Sequence, residues 1–116
     1  MATIKSCTEL EQSKILAEIL PLESADMMYQ QYETVIGDDY GYAYRIQPFF
    51  SSDIDGIPCW SLGALISLLP KHYCLETLDN GTYVCYNFLS QYEKFGKTPI
   101  DAVYSMIVFL KEEKII

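Results

Sequence analysis

With 116 residues, 50% hydrophobic and 14% aromatic, the chain supports a single globular domain over residues 1–116 with a real core, and is too apolar for disorder. Its 16 Asp and Glu against 8 Lys and Arg give a net charge of −8, which repels phosphate backbones and anionic membranes and argues against direct nucleic-acid binding. The apolar run ending at Leu69 is far shorter than the ~18 residues of a membrane span, and Met1 to Cys7 holds no signal-like run, so a cytoplasmic protein is expected.

Thr8-Glu9-Leu10-Glu11 matches a capping box, with Thr8 as N-cap and Glu11 at N3. A helix should run from there to about Leu20, ended by Pro21, with Ile15, Leu16, Ile19 and Leu20 buried. Pro21 to Asp26 reads as a loop. Met27 to Ile36 reads as a strand, and Gly37-Asp38-Asp39-Tyr40-Gly41 as turn chemistry. Tyr42, Tyr44, Ile46 and Phe50 then alternate with Ala43, Arg45, Gln47 and Phe49, which is the period of a strand. Pro48 removes an N–H from the ladder, so this strand belongs at an edge. Ser51 to Gly56 is a second turn region.

The stretch Ile57 to Pro70 carries no charge and reads as the core helix. Ser61 is a good N-cap, and Pro70 limits the helix to Leu62–Leu69. Leu62, Leu65, Ile66 and Leu69 fall on one face, widened by Ala64 and Leu68. A helix apolar almost all round should be buried. Asp79-Asn80-Gly81 then joins two strands. An Asn-Gly two-residue turn puts Leu78 opposite Tyr83 and Leu75 opposite Tyr86. That register places Tyr73, Leu75, Thr77, Val84, Tyr86 and Phe88 on the core. Ser90 to Lys97 is a polar connection. Thr98-Pro99 opens the last helix, with Asp101 at N3. Ile100, Val103, Ile107 and Leu110 form its stripe, widened by Ala102, Met106 and Phe109 on one side and Tyr104 and Val108 on the other. The order helix, strand, strand, helix, strand, strand, helix implies α+β: a mainly antiparallel sheet of two hairpins with helices packed on one face.

The run Pro58-x-Trp60-Ser61-Leu62-x-x-Leu65-x-x-Leu68-Leu69-Pro70, followed by a Tyr-rich hairpin and Thr98-Pro99-x-x-Ala102, resembles a group of small acidic proteins of bacterial chromosomes and prophage-like elements. The similarity covers Leu20 to the C-terminus and consists of packing and capping signals. It implies a bacterial, cytosolic, mobile-element-borne protein, and it carries over no activity and no functional residue.

Catalytic motifs are sparse. No phosphate loop, Gly-x-Ser-x-Gly elbow or His-Glu-x-x-His occurs in the sequence. Asp53-Ile54-Asp55-Gly56 opens like a calcium loop, but Leu62 stands where the closing Glu is needed, so plain turn chemistry is the better reading. Free thiols are expected at Cys7, Cys59, Cys74 and Cys85. His72, Cys74 and Glu76 share strand parity, and Cys85 would join them across the hairpin. These four could bind zinc or pair a thiol with an imidazole. Side chains two apart on a strand stand ~7 Å apart, however, and converge only with a bend. No metal or cofactor is therefore expected.

Charge and tyrosine point elsewhere. From Ile15 to Pro70, eight acids (Glu18, Glu23, Asp26, Glu33, Asp38, Asp39, Asp53, Asp55) face Arg45 alone. Five of the ten tyrosines fall in the same stretch, at positions 29, 32, 40, 42 and 44. Solubility alone would account for the acids. The sharper expectation is a non-enzymatic interaction module of accessory, inhibitor or immunity type. Its contact residues would be Tyr29, Tyr32, Glu33, Asp38, Asp39, Tyr40, Tyr42 and Tyr44, meeting a basic protein. A homodimer through the same face is the competing arrangement. The alternative function is a small enzyme or ligand binder using His72, Cys74, Glu76 and Cys85.

Overall fold

A computed structural model describes residues 6–49 and 56–116. Phe50 and the Asp53-Ile54-Asp55 segment lie outside the described residues. The elements are α1 (Leu10–Ile19), β1 (Met27–Ile36), β2 (Asp39–Pro48), β3 (Ile57–Cys59), α2 (Leu62–Ser67), β4 (Tyr73–Thr77), β5 (Tyr83–Asn87), β6 (Glu93–Gly96) and α3 (Pro99–Glu112). The fold is α+β, with antiparallel pairing throughout. The two hairpins lie in separate three-stranded sheets, ordered β2-β1-β3 and β4-β5-β6. Each hairpin gains one short strand that propensity did not mark. Ser90 to Lys97 contains β6 rather than a wholly irregular connection.

The helix most enclosed by the core is α3, not α2. Thr98 caps α3 by accepting from the Asp101 N–H at 3.1 Å, and Pro99 fills the first turn. Ile100, Ala102, Val103, Met106, Ile107 and Leu110 are all buried. They pack with Leu16 of α1, Trp60, Leu65 of α2 and Cys85 of β5. Gly96 ends β6 where a Cβ would sit 2.4 Å from the Ala102 backbone nitrogen, so strand and helix approach backbone to backbone. An apolar helix needs cover on two sides, and α3 has it from the second sheet and from α1 and α2.

The shorter α2 corrects the expectation of a fully buried core helix. Ser61 caps it, accepting from the Ala64 N–H at 3.2 Å, and Leu65 is wholly buried. Leu62, Ala64, Leu68 and Leu69 are only partly covered, and Ile66 is 44% exposed. Six residues make less than two turns, so only one line of side chains can face α3. In α1, Glu9 takes the N-cap position in place of Thr8, its N–H donating to Gln12 Oε1 at 3.0 Å. The helix is turned accordingly: Ser13 and Leu16 are buried, and Ile15 is 45% exposed.

The β4–β5 register also differs by one residue. Thr77 pairs with Tyr83, and Leu75 with Cys85. The loop has three residues, with Gly81 at φ 84° and the Leu78 N–H donating to the Thr82 carbonyl at 2.7 Å. Asn80 Oδ1 holds it by accepting from the Thr82 N–H and hydroxyl. A one-residue slip exchanges the faces of one strand. Tyr83 and Cys85 therefore join Tyr73 and Leu75 against the core, while Phe88 is 59% exposed.

These positions predict a contrast. Leu65→Ala should cost ~2–5 kcal/mol, as for other buried leucines. Ile66→Ala should cost about 1 kcal/mol or less, because 44% of its surface stays exposed. Chemical denaturation of the two variants, with unchanged m-values, checks both.

Candidate interaction arm and its root

The strands β1 and β2 form a ten-residue antiparallel ladder from Met27↔Pro48 to Ile36↔Asp39. The turn is Gly37-Asp38, with Gly37 at φ 64°, as a glycine-first hairpin turn requires. Asp39, Tyr40 and Gly41, expected in the turn, are already strand. β3 pairs only with Met27 to Tyr29. Among the described residues, only β1 and β2 pair beyond Tyr29, as a two-stranded ribbon. From Gln31 to Pro48 no described side chain is buried. The ribbon is an arm, and the molecule measures 54 × 35 × 20 Å. Pro48 closes the outer edge strand, where its missing N–H does no harm.

The register sorts the arm's side chains onto two faces. Tyr29, Gln31, Glu33 and Val35 pair with Ile46, Tyr44, Tyr42 and Tyr40 on one face. Val35, Tyr40, Tyr42, Tyr44 and Ile46 are all exposed there, with Tyr40 at 79% and Tyr42 at 67%. They make a continuous apolar stripe running along the arm. The opposite face carries Tyr32 over Ala43, Gln30 over Arg45, and Asp39 near the tip. Arg45 lies 5.5 Å from the centre of the Tyr32 ring, so the arm's one cation is engaged on the side away from the stripe.

The expected contact residues divide accordingly. Tyr40, Tyr42, Tyr44 and Glu33 share the stripe's face, and Asp38 sits at its tip. Tyr32 and Asp39 belong to the other face. Tyr29 is half-buried and meets Tyr44 edge-on at 6.3 Å, so it supports the stripe from the body rather than offering itself. Val35 and Ile46 belong to the stripe and were not singled out from the sequence. Strand alternation alone would have placed Ile46 beside Tyr44 and Tyr42. Val35 needed the register.

The arm's root is a buried polar junction centred on Thr8. Its N–H donates to the Trp60 carbonyl at 2.9 Å, and its hydroxyl oxygen accepts from the Trp60 N–H at 3.1 Å. The Ser13 and Thr8 hydroxyls bond at 2.8 Å, and Tyr29 donates its hydroxyl to the Thr8 carbonyl at 2.8 Å. Trp60 donates its indole N–H to Ser24 Oγ at 3.0 Å. Asp26, one residue before β1, accepts from the Ser61 N–H at 2.9 Å and from the Ser61 hydroxyl. Among the described residues no buried side-chain polar atom lacks a partner.

The other grouping does not assemble. Cys85 faces the core, and burial pushes its thiol up to about 11. Cys74 and Glu76 lie on the opposite face by register, so Cys85 does not join them. Tyr86, opposite Cys74, donates its hydroxyl to Glu76 Oε1 at 2.7 Å, and that carboxylate pushes the phenol up to about 12. His72 sits at φ 76° with its ring edge-on to Phe88 at 5.2 Å. Among the described residues no three His, Cys, Asp or Glu side chains converge as a metal site. Also among them, no helix is long and apolar enough to cross a membrane.

Root and arm should respond differently to substitution. Tyr29→Phe removes one of the two hydroxyls that reach the Thr8 carbonyl, the other being that of Ser13 at 3.2 Å, and should cost about 0.5–1.5 kcal/mol. Tyr42→Phe should change stability by less than ~0.5 kcal/mol, since its ring stays exposed. Equilibrium urea unfolding of both variants measures the difference. No protein-family model, curated protein or solved structure matches this chain.

Proposed function

We propose that the protein is a non-enzymatic interaction module that acts in the cytoplasm and engages a basic protein through the β1–β2 arm. The observation carrying this reading is the one-sided stripe Val35, Tyr40, Tyr42, Tyr44 and Ile46, exposed on a ribbon in which no described side chain from Gln31 to Pro48 is buried. Tyrosine gives large contact area with little rotamer entropy to lose, and a hydroxyl that keeps the free surface wetted. Surface of this kind in contiguous patches is characteristic of contact sites.

Charge selects the class of partner. Glu33 lies within the stripe's face and Asp38 at its tip, while Arg45 is held on the reverse side. A surface with an apolar centre and a basic rim complements this arrangement. A second copy of the arm would bring carboxylates against carboxylates. The accessory, inhibitor or immunity roles share this logic, since each acts by covering a basic surface on another protein. The prophage-type resemblance of the Pro58–Pro70 motif is compatible with such a role.

Salt separates the two associations. A basic partner is released as ionic strength rises, whereas like-charged self-association strengthens. Immobilised protein should capture a host protein at low salt and release it at high salt. Tyr42→Ser with Tyr44→Ser should abolish capture, as should Asp38→Lys with Asp39→Lys, with melting curves unchanged. Sedimentation should show a monomer. A tight, salt-resistant dimer that Tyr42→Ser disrupts would overturn the proposal.

A further inference from the structure

Phe49 donates its N–H to the Asp26 carbonyl at 3.2 Å, one step beyond the Met27↔Pro48 pair. Antiparallel partners alternate between hydrogen-bonded and non-bonded pairs, so this bond sets the phase of the whole β1–β2 ladder. Gly41, Ala43, Arg45 and Gln47 turn their backbone groups inward, to β1. Tyr40, Tyr42, Tyr44 and Ile46 turn theirs outward. The Gly37-Asp38 turn gives the same phase, because the pair that closes such a hairpin, Ile36↔Asp39, is a bonded one. Among the described residues, β2 pairs with β1 alone and is the outer strand of its sheet.

This edge is poorly guarded. Edge strands are commonly protected by brevity, a bulge, lysine or proline. The ladder keeps unbroken register from Met27↔Pro48 to Ile36↔Asp39, so β2 has no bulge. It is ten residues long, whereas β6, an edge of the second sheet, has four and carries Glu93 and Lys94. Its one basic side chain, Arg45, is laid over Tyr32. Pro48 blocks only the root end. The residues with outward backbone groups are also residues of the exposed stripe. Hydrogen-bonding capacity and apolar area therefore coincide from Tyr40 to Ile46.

We propose that the basic partner is held by strand addition: an extended segment of it pairs with the β2 edge and becomes a further strand of the first sheet. The inference rests on the proposed function and specifies how the arm holds its partner. Main-chain bonds to Tyr40, Tyr42, Tyr44 and Ile46 supply affinity, and alternate side chains supply selectivity. Every second side chain of the segment lies on the stripe's face beside these four, so the segment is apolar at alternate positions. Antiparallel addition makes the stronger ladder and runs from the arm's root to its tip. The segment's C-terminal end then meets Glu33, Asp38 and Asp39, where lysine or arginine fits. A second copy would lay one acidic arm along another, its one arginine already held over Tyr32.

Hydrogen exchange followed by NMR on the full chain tests this. In the free protein the amides of Gly41, Ala43 and Arg45 should exchange slowly, and those of Tyr40, Tyr42, Tyr44 and Ile46 fast. The probe is a synthetic peptide in which valine alternates with threonine, closed by two lysines at its C-terminus. At saturation it should slow the fast amides about tenfold or more. The same peptide N-methylated at its valines keeps its side chains but loses the donors that face β2. It should bind about tenfold more weakly, as should the peptide with its lysines moved to the N-terminus. Binding that shifts the tyrosine ring signals while these amides stay fast would overturn strand addition and leave the stripe as the contact site. Absence of any probe binding would also overturn it, with capture of a host protein at low salt still deciding the proposed function. Protection of the same amides in a dimer of the free protein would overturn both.

Discussion

Thr8 and Trp60 meet in a dry interior, and each backbone polar group there must find a partner or lose about 1–3 kcal/mol. Thr8 resolves this for three neighbours at once. It pairs with both backbone groups of Trp60, shares its hydroxyl with Ser13, and accepts a hydrogen bond from the Tyr29 hydroxyl on its carbonyl. Trp60 then fills the space between the N-terminal helix and the helical core, with its indole N–H given to Ser24. Every element of the first sheet is positioned from this junction. β3 is held directly, β1 through Tyr29 and Asp26, and β2 through its ladder with β1.

The molecule has two mechanically different parts. The second sheet and α3 share one apolar interior and stabilise each other by burial. The arm has no interior. Its cross-strand pairs contribute roughly 0.2–1 kcal/mol each, while ordering each residue costs about 1–2 kcal/mol of backbone entropy. A two-stranded ribbon is marginal by itself, so its shape depends on the root and on the Tyr29–Tyr44 contact. Such a ribbon adds little to folding. Its exposed stripe is better understood as surface held ready for another molecule.

Periodicity made most elements legible in the sequence. The strand from Met27, the edge position near Pro48, the Ser61 cap and the Thr98-Pro99 start of the last helix all follow from local chemistry. What stayed hidden depends on contacts between distant residues. Thr8 has the side chain of an N-cap, yet its hydroxyl serves Trp60, and the cap passes to Glu9. Asn80-Gly81 suits a two-residue turn, yet Asp79 is drawn into the loop, and the slip turned Cys85 inward. Ile66 matched the apolar face of α2, but a helix of six residues has too little length to bury its flank. The arm's acids and tyrosines could be counted along the chain. Their division into a bare stripe and an Arg45-bearing back required the register.

The separation of Thr8 from Trp60 also sets an order of events during folding. The arm and the second hairpin close short loops, so they can form early at small entropic cost. The junction must wait for a long loop to close. During synthesis Thr8 is made well before Trp60, and until Trp60 arrives its hydroxyl and carbonyl have only water and near neighbours to bond. The N-terminal helix therefore docks late, onto a partly built body. Until then the arm's base is open, and the two ends of this loop are the region on which a chaperone or a protease would act first.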